Sequence, residues 1–261
     1  MTNVLAPTTL FDRIVCAVDE TDASLAAAAQ ARVLGRADGA FTLVAVAEIF
    51  RASRAGWRST ELAHEIERES QQALARAAAV SPEASTLLAH GHAANVILHS
   101  ARRLDATLIA VGAARPPCAR ERLLGSIADD VVRQATCSVL VARACDEPVP
   151  GRIVCGTDGS PESLAAVAVG RELATRFHAD LELVVASGGK GIDPKGVRPL
   201  LPEARLDSRP PVDALVDGAL CPDLIVVGSR GIHGILSLGS VSARVAARAG
   251  CSVLVVRGSG G

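Results

Sequence analysis

The sequence predicts an α/β protein built as two tandem domains, each a parallel sheet of five strands flanked by helices, with one helix missing from the second domain. Three observations predict it. Short apolar runs alternate with Ala-rich amphipathic stretches, residues 136–143 (TCSVLVAR) return as 250–257 (GCSVLVVR), and RIVCAVD at 13–19 returns as RIVCGTD at 152–158. A repeat of this size means two fused homologous domains rather than a solenoid of short units. The 261 residues also suit a two-domain chain. The division falls in the short Pro-rich linker from Ala144 to Gly151, giving domains 1–145 and 146–261 that must pack closely.

In the first half the pattern predicts strand 13–18, helix 22–37, strand 41–47, helix 59–79, strand 85–89, helix 93–103, strand 107–112, helix 126–135 and strand 138–142. The strands are continuous apolar runs, as in Ile14-Val15-Cys16-Ala17-Val18, without polar alternation. Strands covered by helices on both faces read this way, and strand–helix alternation makes the sheet parallel. The second half predicts strand 152–157, helix 161–177, strand 181–186, helix 211–219, strand 224–228, helix 241–249 and strand 252–256. Ser160-Pro161 starts its first helix, since Pro lacks the donor that position leaves unpaired.

Equivalent residues locate a deletion in the second half. The offset is 139 between Asp19 and Asp158 but 116 between Gly112 and Gly228, so 23 residues are missing between the first and fourth strands. The loss falls at 188–202, GGKGIDPKGVRPLLP, where Gly and Pro are too dense for a helix. One face of the second sheet is therefore expected to be less covered, with a short third strand near Ala204 to Leu206 at its edge. Leu200 and Leu201 are candidates for a partner-facing surface there.

Composition narrows function. A net charge of −1 offers no general attraction to phosphate backbones or anionic lipid, and four Phe, one Trp and no Tyr leave few stacking platforms for nucleic acid. The start MTNVLAPTTLFDR lacks the pattern of a signal peptide, and no apolar stretch reaches the ~18 residues of a membrane span, so a cytoplasmic protein is expected. The seven Cys form no C-x-x-C pair; Cys16, Cys137, Cys155 and Cys251 sit in or beside apolar runs and read as small core residues. His90 and His92 flank Gly91 without a further nearby ligand and read as a surface turn rather than a metal site. Neither Ser160 nor Ser240 has an evident base, so no catalytic residue is assigned and an efficient hydrolase is not expected.

The chemistry points to the segment after the fourth strand of the second half, Gly228-Ser229-Arg230-Gly231-Ile232-His233-Gly234-Ile235-Leu236-Ser237-Leu238-Gly239-Ser240. Glycines let successive N–H groups form a concave anion site, and Gly239-Ser240 opens a helix whose first amides favour negative charge. Asp158 and Gly228 both lie at carboxyl ends of strands, where open α/β sheets bind ligands. The first half differs. Arg115 replaces the second glycine, and Pro116 and Pro117 lack the N–H an anion nest needs, so weak or no binding is expected there. The rival reading is that Arg115, Arg120 and Arg122 supply charge in place of amides.

On these residues the chain resembles the universal stress protein family in its tandem form. The resemblance covers nearly the whole chain: the strand-end Asp in AVDE and GTDGSPES, VGSRG, the GSVSARVA helix start and the closing CSVLVVR. It implies a Rossmann-like, adenine nucleotide alpha hydrolase-like fold, and a motif of Gly, two residues, Gly, nine residues, Gly, then Ser or Thr. The second half has seven residues where the motif has nine; the first keeps nine but has Arg115. By resemblance Asp158, Gly228, Gly231, Gly239, Ser240 and Val241 hold ATP, accompanied by Mg2+. The implied function is a stress-response protein regulated by ATP, with a nucleotide-independent scaffold or a slow ATPase working through Asp158 and a bound metal as alternatives. The family's pairing through the last strand implies that Val139-Leu140-Val141 and Val253-Leu254-Val255 join as a pseudo-dimer within the chain, with homodimers a further expectation.

Overall fold

The computed structural model describes residues 11–50, 52, 59–114, 124–145, 147–188, 194–216, 220, 222–229 and 241–258. The first half runs β1 (Phe11–Val18), α1 (Asp22–Leu34), β2 (Gly35–Ala47), α2 (Ser59–Val80), β3 (Ser85–His90), α3 (Ala93–Arg103), β4 (Leu108–Gly112), α4 (Ser126–Gln134) and β5 (Ser138–Ala142). The second runs β6 (Arg152–Gly156), α5 (Pro161–Phe177), β7 (Asp180–Ala186), α6 (Pro194–Val197), β8 (Arg205–Asp207), α7 (Pro211–Val216), β9 (Leu224–Ser229), α8 (Val241–Arg248) and β10 (Ser252–Arg257). The strands form one ten-stranded sheet in the order β3-β2-β1-β4-β5-β10-β9-β6-β7-β8.

Within each half every pairing is parallel, and the two halves repeat one topology in mirror order. They meet at the antiparallel pair β5·β10, with Val141 opposite Val253, Leu140 opposite Leu254 and Val139 opposite Val255. This is the strand pairing expected from the sequence. Each half would otherwise present an apolar edge, and the join removes both.

Alternation along the strands divides the core between the two faces. Ile14, Cys16, Leu140, Ile153, Cys155 and Leu254 pack with α1, α2 and α5, whereas Val15, Ile109, Val139, Val154, Ile225 and Val253 pack with α3, α4, α7 and α8. Both sets are buried, which explains the absence of polar alternation. Burial also governs the thiols. Cys16 and Cys155 are fully enclosed, and desolvation pushes Cys155 up to about 12.

Two differences from expectation bear on the packing. Helix α1 stops at Leu34 and β2 starts at once, because Gly35 takes extended backbone angles, φ −74 and ψ 168; its lack of a side chain leaves room for Ile14, whose Cδ1 would lie 2.7 Å from a Cβ there. Where α2 has 22 residues, the second half has the single turn α6. That turn is enough to bury Val197 and Leu201 against the core, while Leu200 and Leu206 stay 57% and 48% exposed. Leu201 therefore belongs to the core and not to a partner surface.

Candidate functional site

The chain leaves β6 at Thr157-Asp158-Gly159-Ser160 and enters α5, a turn built almost wholly from its own side chains. Ser160 caps the helix by accepting from the Ser163 amide at 3.3 Å, with Pro161 at the first helical position. Asp158 Oδ1 accepts the Ser160 amide at 3.0 Å, and Ser163 Oγ accepts the Asp158 amide at 3.3 Å and lies 3.0 Å from Thr157 Oγ1. Gly159 adopts φ +78, a conformation that favours glycine. The result is an exposed Asp158 carboxylate oriented at the carboxyl end of β6.

The first half builds the same turn with different residues. Asp19 Oδ1 accepts the Thr21 amide at 2.9 Å and its hydroxyl at 2.5 Å, and Thr21 caps α1 by accepting from the Ser24 amide at 3.3 Å.

β6 and β9 are adjacent, with Gly156 opposite Val227, so Asp158 and Gly228 leave the sheet side by side. From this point the chain order runs outward in both directions, β6-β7-β8 one way and β9-β10 the other. Such a reversal opens a crevice at the carboxyl ends of the strands. Val241 begins α8 on the far side of the connecting segment and is 40% exposed. Gly231, Gly239 and Ser240, the remaining candidate residues, lie outside the described residues.

Gly228 has a packing duty the sequence did not reveal. A Cβ there would lie 2.4 Å from the Glu162 carbonyl oxygen and 2.8 Å from the Ser163 nitrogen, so the first turn of α5 rests directly on the strand end. Gly112 is equally close to the first turn of α1, 2.6 Å from both the Ala23 oxygen and the Ser24 nitrogen. Glycine is kept here in both halves, whatever follows in the loop.

A pair of arginines, Arg143 buried and Arg257 half-buried, was also missed, although both repeated blocks end in Arg. Arg143 is 1% exposed; its Nη2 donates to Ala246 O at 2.7 Å, its Nη1 donates to Ala114 O, and its amide donates to Ser252 Oγ at 3.0 Å. Arg257 mirrors this, with Nη2 donating to Val132 O at 2.7 Å and its amide to Ser138 Oγ at 3.2 Å. Burial lowers the pKa of Arg257 from the usual guanidinium value.

At the carboxyl ends of β2 and β3, Glu48 Oε1 accepts the Ala93 amide at 2.9 Å and lies 3.9 Å from His92 Nδ1, whose ring is 4.2 Å from that of Phe50. His90 Nε2 lies 3.6 Å from Glu67 Oε1. Among the described residues no group of three His, Cys, Asp or Glu side chains is arranged to hold a metal, and no helix is long and apolar enough to cross a membrane.

Two half-sheets of this topology, joined through their last strands and each carrying a carboxylate at the chain-order reversal, define a tandem protein of the Rossmann-like α/β class. The universal stress protein family profile matches residues 10–143 and 203–257, and the chain belongs to that family. A universal stress protein of Mycobacterium tuberculosis is 30% identical over 186 residues, covering 59% of this chain and 63% of the relative. The chain thus spans less than two thirds of the length of the curated relatives it matches. The crystal structure of a universal stress protein from Archaeoglobus fulgidus superposes with a TM-score of 0.68 at 16% identity, covering 95% of this chain and 98% of its own. Another universal stress protein, solved in complex with cAMP, is 34% identical over 41% of this chain and 97% of its own, with a TM-score of 0.37.

Proposed function

We propose that this protein serves the cellular stress response in the cytoplasm and binds ATP in its second domain, residues 146–261, as a regulatory ligand with little or no turnover. One observation carries the reading: Asp158 and Gly228 stand together at the carboxyl ends of adjacent strands, where the chain order reverses, ahead of a glycine-bearing segment and α8. Asp158 meets a ribose hydroxyl, or Mg2+ accompanying the phosphates, for which a carboxylate is a suitable hard oxygen donor. The amides of Gly231, Gly239, Ser240 and Val241, with the positive end of α8, meet the phosphates. The first half has Arg115, Pro116 and Pro117 in the corresponding segment and contributes no second site.

Isothermal titration with ATP and magnesium tests this on the wild type and on Gly231→Arg, which introduces the first half's residue. One site is expected in the wild type and none in the variant. No heat and no thermal shift with millimolar ATP in the wild type would overturn the reading.

A nucleotide-independent scaffold is the second reading, favoured by the exposure of Leu200 and Leu206 where α6 replaces a long helix. Partner capture that ignores nucleotide and is lost in a Leu200→Asp, Leu206→Asp double variant would select it.

A further inference from the structure

We infer that the first half of the chain positions α8, the helix facing the phosphates in the second half, through Arg143, and that Arg257 returns the same grip on α4. Where it concerns ligand, this rests on the ATP reading above; where it concerns the helices, it rests on geometry alone.

Ala246 lies in the last turn of α8 and Val132 in the last turn of α4. Carbonyls in a last turn have no partner within their own helix, and the helix dipole places partial negative charge there. Each receives a guanidinium N–H at 2.7 Å from the other half of the molecule. The two bonds are related by the repeat itself, since Arg143 and Arg257, Val132 and Ala246, and Ser138 and Ser252 all stand 114 residues apart.

The antiparallel β5·β10 pair makes the exchange work. It brings the carboxyl end of each last strand beside the start of the other, where Ser252 Oγ accepts the Arg143 amide and Ser138 Oγ accepts the Arg257 amide. The side chain then runs on to the neighbouring half's last helix. Arg143 goes further, because its Nη1 also holds Ala114 O, the residue before the first-half segment that carries Pro116 and Pro117. One buried cation thus ties the mouth of that segment to the carbonyl end of the phosphate-facing helix. Hydrogen bonds to charged donors are roughly twice as strong as neutral ones, and removal of the cation leaves a helix end uncapped inside the protein. Arg143 is a positioning residue: it acts on ligand through α8.

Hydrogen exchange on ligand-free protein reads the helices directly. Arg143→Gln should accelerate exchange across 245–249 on the order of ten- to a hundredfold and leave 131–135 unchanged, whereas Arg257→Gln should do the reverse. Arg143→Lys keeps the charge but a single donor nitrogen, provides a milder variant should Gln not fold, and should show the same crossed pattern with smaller acceleration. Acceleration in the variant's own half, in both halves alike or in neither overturns the inference. Titration with ATP and magnesium completes the test: Arg143→Gln should weaken binding several-fold and Arg257→Gln should not. A crossed exchange pattern with equal ATP affinity in both variants overturns the link to ligand. A wild type that binds no ATP removes the proposed function, while the exchange pattern still decides whether the halves hold each other's helices.

Discussion

Replacing Gly228 with Ala separates two duties that one glycine can have, making room for a ligand and making room for a helix. The new Cβ would stand 2.4 Å from the Glu162 oxygen, 2.6 Å from its carbonyl carbon and 2.8 Å from the Ser163 nitrogen. All three are backbone atoms of the first turn of α5, so no side chain can swing aside. Restoring ordinary contact at 3.4 Å moves the start of that helix by about 1 Å, the kind of overpacking that costs roughly 1–3 kcal/mol. For a protein of this size that is a fall in Tm of about 2–12 °C. Differential scanning calorimetry without nucleotide measures it. Gly112→Ala should fall by a similar amount, since its Cβ would meet Ala23 and Ser24 backbone at 2.5–2.6 Å. A Gly228→Ala protein with wild-type Tm that has lost its ATP heat would refute the reasoning and make Gly228 a ligand residue first.

Three further outcomes are expected. Leu201→Ala should lose roughly 2–5 kcal/mol in urea unfolding, as for a buried leucine, while exposed Leu200→Ala stays within about 0.5 kcal/mol; equal losses would contradict the placement of α6. Asp207 is held by Arg209 at 2.7 Å and Arg205 at 2.9 Å, and hydrogen bonding to Arg209 above all keeps its carboxyl well below the ordinary range. Its stabilisation is complete above the unfolded value of about 4 and is lost as pH falls from there toward the folded value. Tm should therefore drop less steeply below about pH 4 in Asp207→Asn than in the wild type, and parallel curves would count against the network. Peptide mapping after brief maleimide treatment should find exposed Cys145 labelled well before Cys16 and Cys155, whose burial raises their thiol pKa; similar labelling at all three would mean an open core.

The elements were legible because both faces of the sheet are covered, which turns strands such as β4, β5, β9 and β10 into apolar runs and helices such as α1 and α5 into Ala-rich stretches. Ser160-Pro161 marked α5 correctly, and the repeated Val-Leu-Val blocks marked the pair that joins the halves. Local reading failed where a distant atom decides. Gly35 turns the chain out of α1 and into β2 where Ile14 packs against it, and Leu201 turns inward because a single turn at Pro194–Val197 carries it back to the sheet. Of the candidate site, the sequence placed Asp158 and Gly228 at the carboxyl ends of strands but could not show that those strands are adjacent or that α5 rests on Gly228. The capping of α8 by Arg143 was hidden for the same reason, since it exists only once the two last strands pair.

The antiparallel seam between β5 and β10 also frees the two halves to differ. In an assembly of identical subunits, a change in one loop appears in every copy, so a binding segment cannot be surrendered on one side only. Here the residues that join the halves, 138–143 and 252–257, are nearly the same in both, whereas the segments after β4 and β9 have diverged. One lobe can thus give up its glycines and remain as a permanent brace for the other, in a fixed ratio of one to one that no dilution can dissociate.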